Sequence, residues 1–206
     1  MPLQSRVDPF GELFADASRG LLMGNRGGRF HDDEQALGSR RWASRQWICC
    51  RLSFNGRQRA VWGRSYTELF FLDEVTAFAA GHRPCFECRR KDAEAFAALF
   101  PSAGDKRARA DDVDRVLHAE RLDGRAKRKQ LLRFGDLPDG AFIDLDGNAY
   151  AIRGGRPLRW TSAGYVACTM SVEASRIVPV LTPPSILSVL TAGYQPLWHP
   201  SAVAGG

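Results

Sequence analysis

The chain has 206 residues, 44% of them hydrophobic, and a formal charge of +6 from 29 lysines and arginines against 23 aspartates and glutamates. It holds no apolar run of about 18 residues and no signal-peptide pattern, which argues against a helical membrane span and sets the expectation of a cytoplasmic protein with no membrane partner. Its five cysteines, an odd number, fit poorly with a secreted disulfide framework. The length suffices for one sizeable core, and the arginine excess suits phosphate, which guanidinium groups bind in a bidentate fork.

Residues 1–20 are mixed, with Leu13 and Phe14 on a short helix after Asp8-Pro9. The stretch Leu21 to His31 then runs from apolar residues into a glycine-rich basic loop. Such a loop lets backbone amides approach a phosphate, with Arg26 and Arg29 reinforcing it; a surface turn with solvated arginines explains it equally well. The Lys-Ser/Thr ending of a nucleotide P-loop is missing, so no nucleotide cofactor is expected. His31, one of four histidines, is a candidate metal ligand that would complete a Cys₃His zinc site.

Trp47 to Phe54 reads as a strand, Asn55-Gly56 as a hairpin turn and Arg57 to Trp62 as the returning strand. Alternation puts Ile48, Cys50, Leu52 and Phe54 on one face and Trp47, Cys49, Arg51 and Ser53 on the other. With the first face inward, Cys50 becomes the third thiolate; a one-residue slip of register would substitute Cys49. Arg40, Arg41, Arg45, Arg51, Arg57 and Arg59 are interleaved with Trp42, Trp47 and Trp62. That mixture suits a nucleic-acid surface, charge for the backbone and flat faces for bases, although core tryptophans among solvated arginines would read the same way.

The most informative segment is Phe70 to Arg90. Asp73 and Glu74 favour the N-terminus of a short helix over 73–80, and Gly81 can take the left-handed conformation that ends it. Cys85 and Cys88 follow in a Cys-x-x-Cys turn, which points two sulfurs at one tetrahedral metal. Phe70, Phe71, Ala79, Ala80, Gly81, Arg83, Pro84, Cys85, Cys88 and Arg89 together resemble the zinc-binding domain of the Ada adaptive-response DNA repair proteins over about a tenth of the chain. The resemblance implies zinc as cofactor, a metal-organised DNA-binding surface and, in that family, a zinc-bound cysteine that accepts a methyl group from a DNA phosphotriester. The family's upstream Cys-x-x-x-Cys ligand pair does not occur in this sequence, so methyl acceptance does not carry over and the other two ligands come from elsewhere, with Cys50 and His31 the candidates and His82 and Cys49 their rivals.

A helix follows over 92–100 with Ala93, Phe96, Ala97 and Phe100 on one face, ended by Pro101; residues 102–112 read as a loop. A second helix from about Val113 carries His118, Glu120 and Arg121 and leads into Arg125, Lys127, Arg128 and Lys129. With Arg83, Arg89, Arg90 and Lys91 of the knuckle, and Arg26, Arg40 and Arg41 upstream, Lys127 extends the expected DNA-binding surface. From Leu137 the texture turns to short strands separated by Asp146-Gly147 and Gly154-Gly155 and closed by Ile177 to Leu181. A last helix runs from Thr182 or Pro183 to about Thr191, with Thr182 as N-cap.

The expected fold is therefore α+β: a zinc-stapled hairpin and helix module over 1–136 and an antiparallel sheet with a C-terminal helix over 137–206, packed as one unit. The expected partner is DNA, or RNA through the same chemistry. The expected function is action on chemically modified or damaged DNA, with base excision the leading reaction because it needs little beyond a base pocket and one carboxylate. Tyr150, Trp160 and Tyr165 would shape that pocket, and Asp139, Asp73 and Glu120 lead the candidate carboxylates, with Asp144 and Asp146 behind them. Stoichiometric alkyl transfer to a zinc-bound cysteine and a non-catalytic binding module are the alternatives.

Overall fold

The structure is a computed structural model that describes residues 2–56, 60–101 and 107–202. Arg57 and Arg59 lie outside the described residues.

Six short strands near the N-terminus build the first sheet. They are β1 (Arg6–Val7), β2 (Leu13–Phe14), β3 (Leu22–Arg26), β4 (Trp47–Arg51), β5 (Leu69–Phe71) and, after helix α1 (Glu74–Ala79), β6 (Arg83–Pro84). Their order across the sheet is β2-β1-β5-β3-β4-β6, with β1 parallel to β5 and β4 parallel to β6. Two helices follow, α2 (Arg90–Leu99) and α3 (Ala110–Arg121), then a two-stranded ribbon of β7 (Leu122–Asp123) and β8 (Ala126–Lys127).

A second sheet takes β9 (Gln130–Arg133), β10 (Phe142–Leu145), β11 (Asn148–Arg153), β12 (Arg156–Thr161), β13 (Gly164–Ala167) and β14 (Ile177–Val180). It is antiparallel throughout, in the order β13-β12-β11-β10-β14-β9. Helix α4 (Pro184–Thr191) closes the described architecture. The fold is thus α+β. No helix among the described residues is long and apolar enough to cross a membrane.

Helix α1 is the element on which the rest converges: all six of its residues are buried. A helix buried on every side must be apolar or have its polar groups satisfied. Val75 and Ala79 pack with Phe142 and Leu158 of the second sheet, Ala77 with Leu22, Cys49 and Phe71 of the first, and Phe78 with Phe96, Leu117 and Ile186 of the other helices. Asp73 caps the helix through its Oδ1, which accepts from Thr76 N at 2.8 Å. Gly81 ends it at φ +83, and a Cβ there would stand 2.7 Å from Cδ of Arg121, so glycine is required both for the backbone and for the space.

Several local expectations are corrected. Leu13 and Phe14 form a strand that pairs with β1, not a helix. Strand β4 ends at Arg51 and pairs with β3 and β6, which are distant in sequence; residues 57–59 of the expected returning strand lie outside the described residues. Asn55 and Gly56 do both take positive φ, as the Asn-Gly signal implies, but Ala60 to Trp62 form no strand. Thr182 does not cap α4; its Oγ1 accepts from Phe142 N at 2.9 Å, and Pro183 occupies the cap position.

Candidate metal centre and cleft

Strand β4 lies between β3 and β6 and alternates in burial, with Trp47 and Cys49 buried and Ile48 and Cys50 half-buried. The expected parity is therefore present with its sides reversed. Cys49 and Trp47 face α1, while Ile48 and Cys50 face away from it, into a cleft. Gly24 lets the sheet close here, since a Cβ on it would stand 2.1 Å from the Ile48 carbonyl oxygen.

Strand β6 lies parallel to β4, with Pro84 opposite Cys49, and Cys85 N donates to the Cys49 carbonyl at 3.0 Å. That register carries Cys85 past the end of the pairing toward the Cys50 side. The chain then turns through Phe86 and Glu87, and Cys88 ends the knuckle just before α2. As a result the sulfurs of Cys50, Cys85 and Cys88 lie within 4.8 Å of one another. Three sulfurs bound to one tetrahedral zinc at about 2.3 Å would stand roughly 3.8 Å apart, so the cluster fits zinc. At this separation the three thiols shift one another's acidity in opposite directions. The neighbouring Cys50 and Cys88 hold Cys85 far below the usual thiol range, while Cys85 and then Cys88 push Cys50 up. Thiols bind a metal as thiolates, so a metal held here would displace their protons.

The other expected ligands stand elsewhere. His31 is stacked on Trp62 with ring centroids 5.2 Å apart; its Nδ1 meets Thr67 Oγ1 at 2.7 Å and its Nε2 meets the Gly63 carbonyl at 3.0 Å. Both ring nitrogens are thus engaged away from the thiols. His82 is fully buried on the α1 side against Trp47 and Phe71, and burial together with the nearby Arg26 and Arg121 keeps it neutral. Cys49, on the same side, accepts from Arg89 NH1 at 3.3 Å.

The three cysteines line one wall of a cavity of about 480 Å³. Met23, Ile48, Phe54, Tyr66, Phe70 and Phe86 supply its apolar lining, and Glu68 and Glu87 its carboxylates. Glu68, only 4% exposed, accepts at Oε2 from Trp62 N at 2.7 Å, and its own carbonyl accepts from Trp62 Nε1 at 2.8 Å. Trp62 has φ +56, a conformation a bulky residue adopts only when its surroundings hold it there. Glu68 is therefore fixed by a strained neighbour at the edge of the cleft.

The expected carboxylates do not face this cleft. Asp73 is consumed at the α1 cap, where it also accepts from Thr76 Oγ1, Tyr165 OH and His199 N; burial raises its pKa. Glu120 caps α4 by accepting from Ser185 N at 3.0 Å and Ser185 Oγ at 2.6 Å. Asp139 accepts from Gly154 N in a turn. The aromatic pocket expected in the second sheet is likewise filled: Tyr165 is buried, Trp160 donates to Thr76 Oγ1 at 3.1 Å, and Tyr150 packs against the core.

Of the expected DNA-binding cations, Arg26, Arg83 and Arg89 are buried. Arg83 pairs with Asp114, and Arg89 with Glu74 and Asp92. Arg40, Arg90 and Lys91 are exposed, Arg41 and Lys127 half-buried. The tryptophans share the interior role: Trp47 and Trp62 are buried, and Trp42 packs on Trp47.

No family model matches the sequence, and no curated protein and no solved structure matches the chain.

Proposed function

We propose that the chain is a zinc protein that acts on chemically modified or damaged DNA, with the cleft beside Cys50, Cys85 and Cys88 receiving the altered nucleotide. The observation that carries this reading is that three thiols, several aromatic rings and a buried carboxylate line one cavity of about 480 Å³, a size and lining suited to a flat base. Zinc held by the three sulfurs would supply Lewis acidity at the cleft wall. Phe54, Tyr66, Phe70 and Phe86 offer faces and edges for an unstacked base, and Arg40, Arg90 and Lys91 are exposed for the phosphate backbone.

Base excision is the reaction these groups support with fewest additions. The oxygen of water bonds to C1′ of the sugar as the bond from C1′ to the base nitrogen breaks; the electron pair leaves with the base, which takes up a proton. Glu68 takes the place of the carboxylates expected from sequence and receives the proton lost by water. One observation favours a second reading: Cys50 is half-buried at the cleft, whereas Cys85 and Cys88 are 7% and 9% exposed. In that reading the Cys50 sulfur bonds to an alkyl carbon while the carbon's bond to DNA breaks, its electron pair staying on the DNA.

The test is incubation of zinc-quantified protein with DNA carrying natural or alkylated bases, followed by alkali treatment and mass spectrometry of released bases and of the protein. Excision predicts free base and alkali-labile sites, lost in Glu68→Gln with zinc content and DNA affinity kept. A mass gain of one alkyl group on Cys50 supports the second reading. Intact DNA and unmodified protein across the substrate panel would overturn both.

A further inference from the structure

On the opposite side of the first sheet from the cleft, Trp47 is sandwiched between two guanidinium groups. The Cζ atoms of Arg26 and Arg121 each lie 3.9 Å from a Trp47 ring centroid, and both arginines are 1% exposed. Their donors are mostly spent on backbone carbonyls: Arg26 NH2 on Gly11 at 2.8 Å, Arg121 NH1 on Gly81 at 2.8 Å and Arg121 NH2 on Arg45 at 2.7 Å. Carbonyls satisfy N–H groups without neutralising charge, and among the described residues neither guanidinium has a carboxylate within ion-pair distance. Arg121 Nε, buried, has no hydrogen-bond partner among them. Lys127 reaches the same place and donates to the Ala79 carbonyl.

These groups surround a cavity of about 30 Å³ lined by Arg26, Arg41, Arg121, Arg125, Lys127 and Glu12, among others. Five cations thus line the cavity with one carboxylate, that of Glu12, which is exposed at the rim, and Asp8 acts on Arg26 and Lys127 from outside the lining. Buried charge of one sign is costly unless a counter-charge is supplied. We infer that this cavity is an oxyanion site for a phosphate group, with one oxygen entering among Arg26, Arg121 and Lys127 and the rest held at the mouth by Arg41 and Arg125. The volume is close to the share of one water, about 30 Å³, which suits a single phosphoryl oxygen and excludes a whole base. The phosphate is either free or the terminal group of a nucleic-acid strand. The site stands apart from the chemistry proposed for the cleft and does not depend on it.

The experiment is calorimetric titration of the zinc-loaded chain with inorganic phosphate, alongside thermal melts, in wild type and in Arg41→Gln and Arg125→Gln, two side chains at the mouth. Phosphate should bind and raise the melting temperature, and each substitution should weaken affinity roughly tenfold, as removal of a charge-assisted hydrogen bond does. Repeating the titration with an oligonucleotide bearing a 5′-phosphate and with its 5′-hydroxyl twin separates the sources. Tighter binding of the phosphorylated strand assigns the site to strand ends, and equal binding of the two strands, with free phosphate still bound, assigns it to the free anion. Absence of heat and of thermal stabilisation with phosphate, or affinity unchanged in both variants, would overturn the inference.

Discussion

Arg83 of β6 and Asp114 of α3 form a buried, bidentate ion pair, Nε to Oδ1 at 2.8 Å and NH2 to Oδ2 at 2.7 Å. The strand that delivers Cys85 is thereby tied to a helix 31 residues away. Asp114→Ala should cost about 3–5 kcal/mol because it leaves a buried guanidinium uncompensated, whereas the double change Arg83→Met with Asp114→Leu should cost clearly less. Denaturant unfolding of the single and double variants measures both; a double variant as unstable as the sum of the singles would refute it.

On the proposed zinc reading, Cys88→Ser should drop the zinc content of purified protein well below one per chain and lower its melting temperature. Structural zinc binding is folding free energy, on the order of 10 kcal/mol in small zinc modules. His31→Ala, by contrast, should keep its zinc, because the ring is bonded to Thr67 and Gly63. Metal analysis of the two variants side by side checks the assignment, and loss of zinc in His31→Ala would reinstate that histidine as a ligand.

Gly81→Ala should destabilise by roughly 1–3 kcal/mol or more, since alanine is strained at φ +83 and its methyl group would press on the Arg121 side chain. The same change at Gly154, also at positive φ but with open space around it, should cost only the backbone part. Comparison of the two unfolding free energies isolates the packing contribution.

Charge reversal should act differently at adjacent positions. Arg90→Glu and Lys91→Glu alter exposed side chains and, on the reading that this face binds DNA, should weaken binding and reduce the salt slope by about one unit for each phosphate left unneutralised. Arg89→Glu would place a carboxylate beside the buried Glu74 and should unfold the chain first. DNA titrations at several salt concentrations, with circular dichroism on each variant, separate the effects.

Oxyanion binding near Trp47 should depend on pH through Lys127. Burial, and then Arg121 and Arg26, lower its pKa to about 7, with Asp8 acting in the opposite direction. A base with a lowered pKa is cationic below that value and neutral above it. Affinity for sulfate, whose charge is constant over this range, should therefore fall as pH rises through 7, and Lys127→Gln should make the fall smaller. Arg26, lowered by burial to about 9, keeps its charge through this range, and Asp8, itself raised to about 6 by burial, titrates in the same direction. Calorimetry at pH 6 and 8 decides it; an equal fall in Lys127→Gln would assign the effect to Asp8.

The knuckle is legible in the sequence because every feature of it is local: the Asp73 cap, the Gly81 stop and the Cys85/Cys88 spacing all act within a few residues. Cys50 is reachable by alternation, which gives the phase of a strand but not which side its sheet buries. The partners of β4 are not legible, because β3 and β6 lie across loops that carry no pairing signal, while Asn55-Gly56 advertises a nearer strand. Arg26, Arg83 and Arg89 read as surface cations because composition cannot reveal a buried carboxylate or carbonyl waiting elsewhere in the chain. Glu68 escapes a reading by motif, although its parity with Phe70, against the buried Leu69 and Phe71, places it on the Cys50 side.

Cys49 and Cys50 are bonded neighbours whose side chains occupy separate compartments, one sealed against Arg89 and α1, the other opening on the cleft. On the reading that these thiols hold zinc, a thiol reagent too large to enter the core would tag Cys50 only when the metal has left, and Cys49 only when the sheet itself has opened. Two consecutive residues thus form a built-in pair of reporters, readable on a single proteolytic peptide, that distinguishes a demetallated chain from an unfolded one.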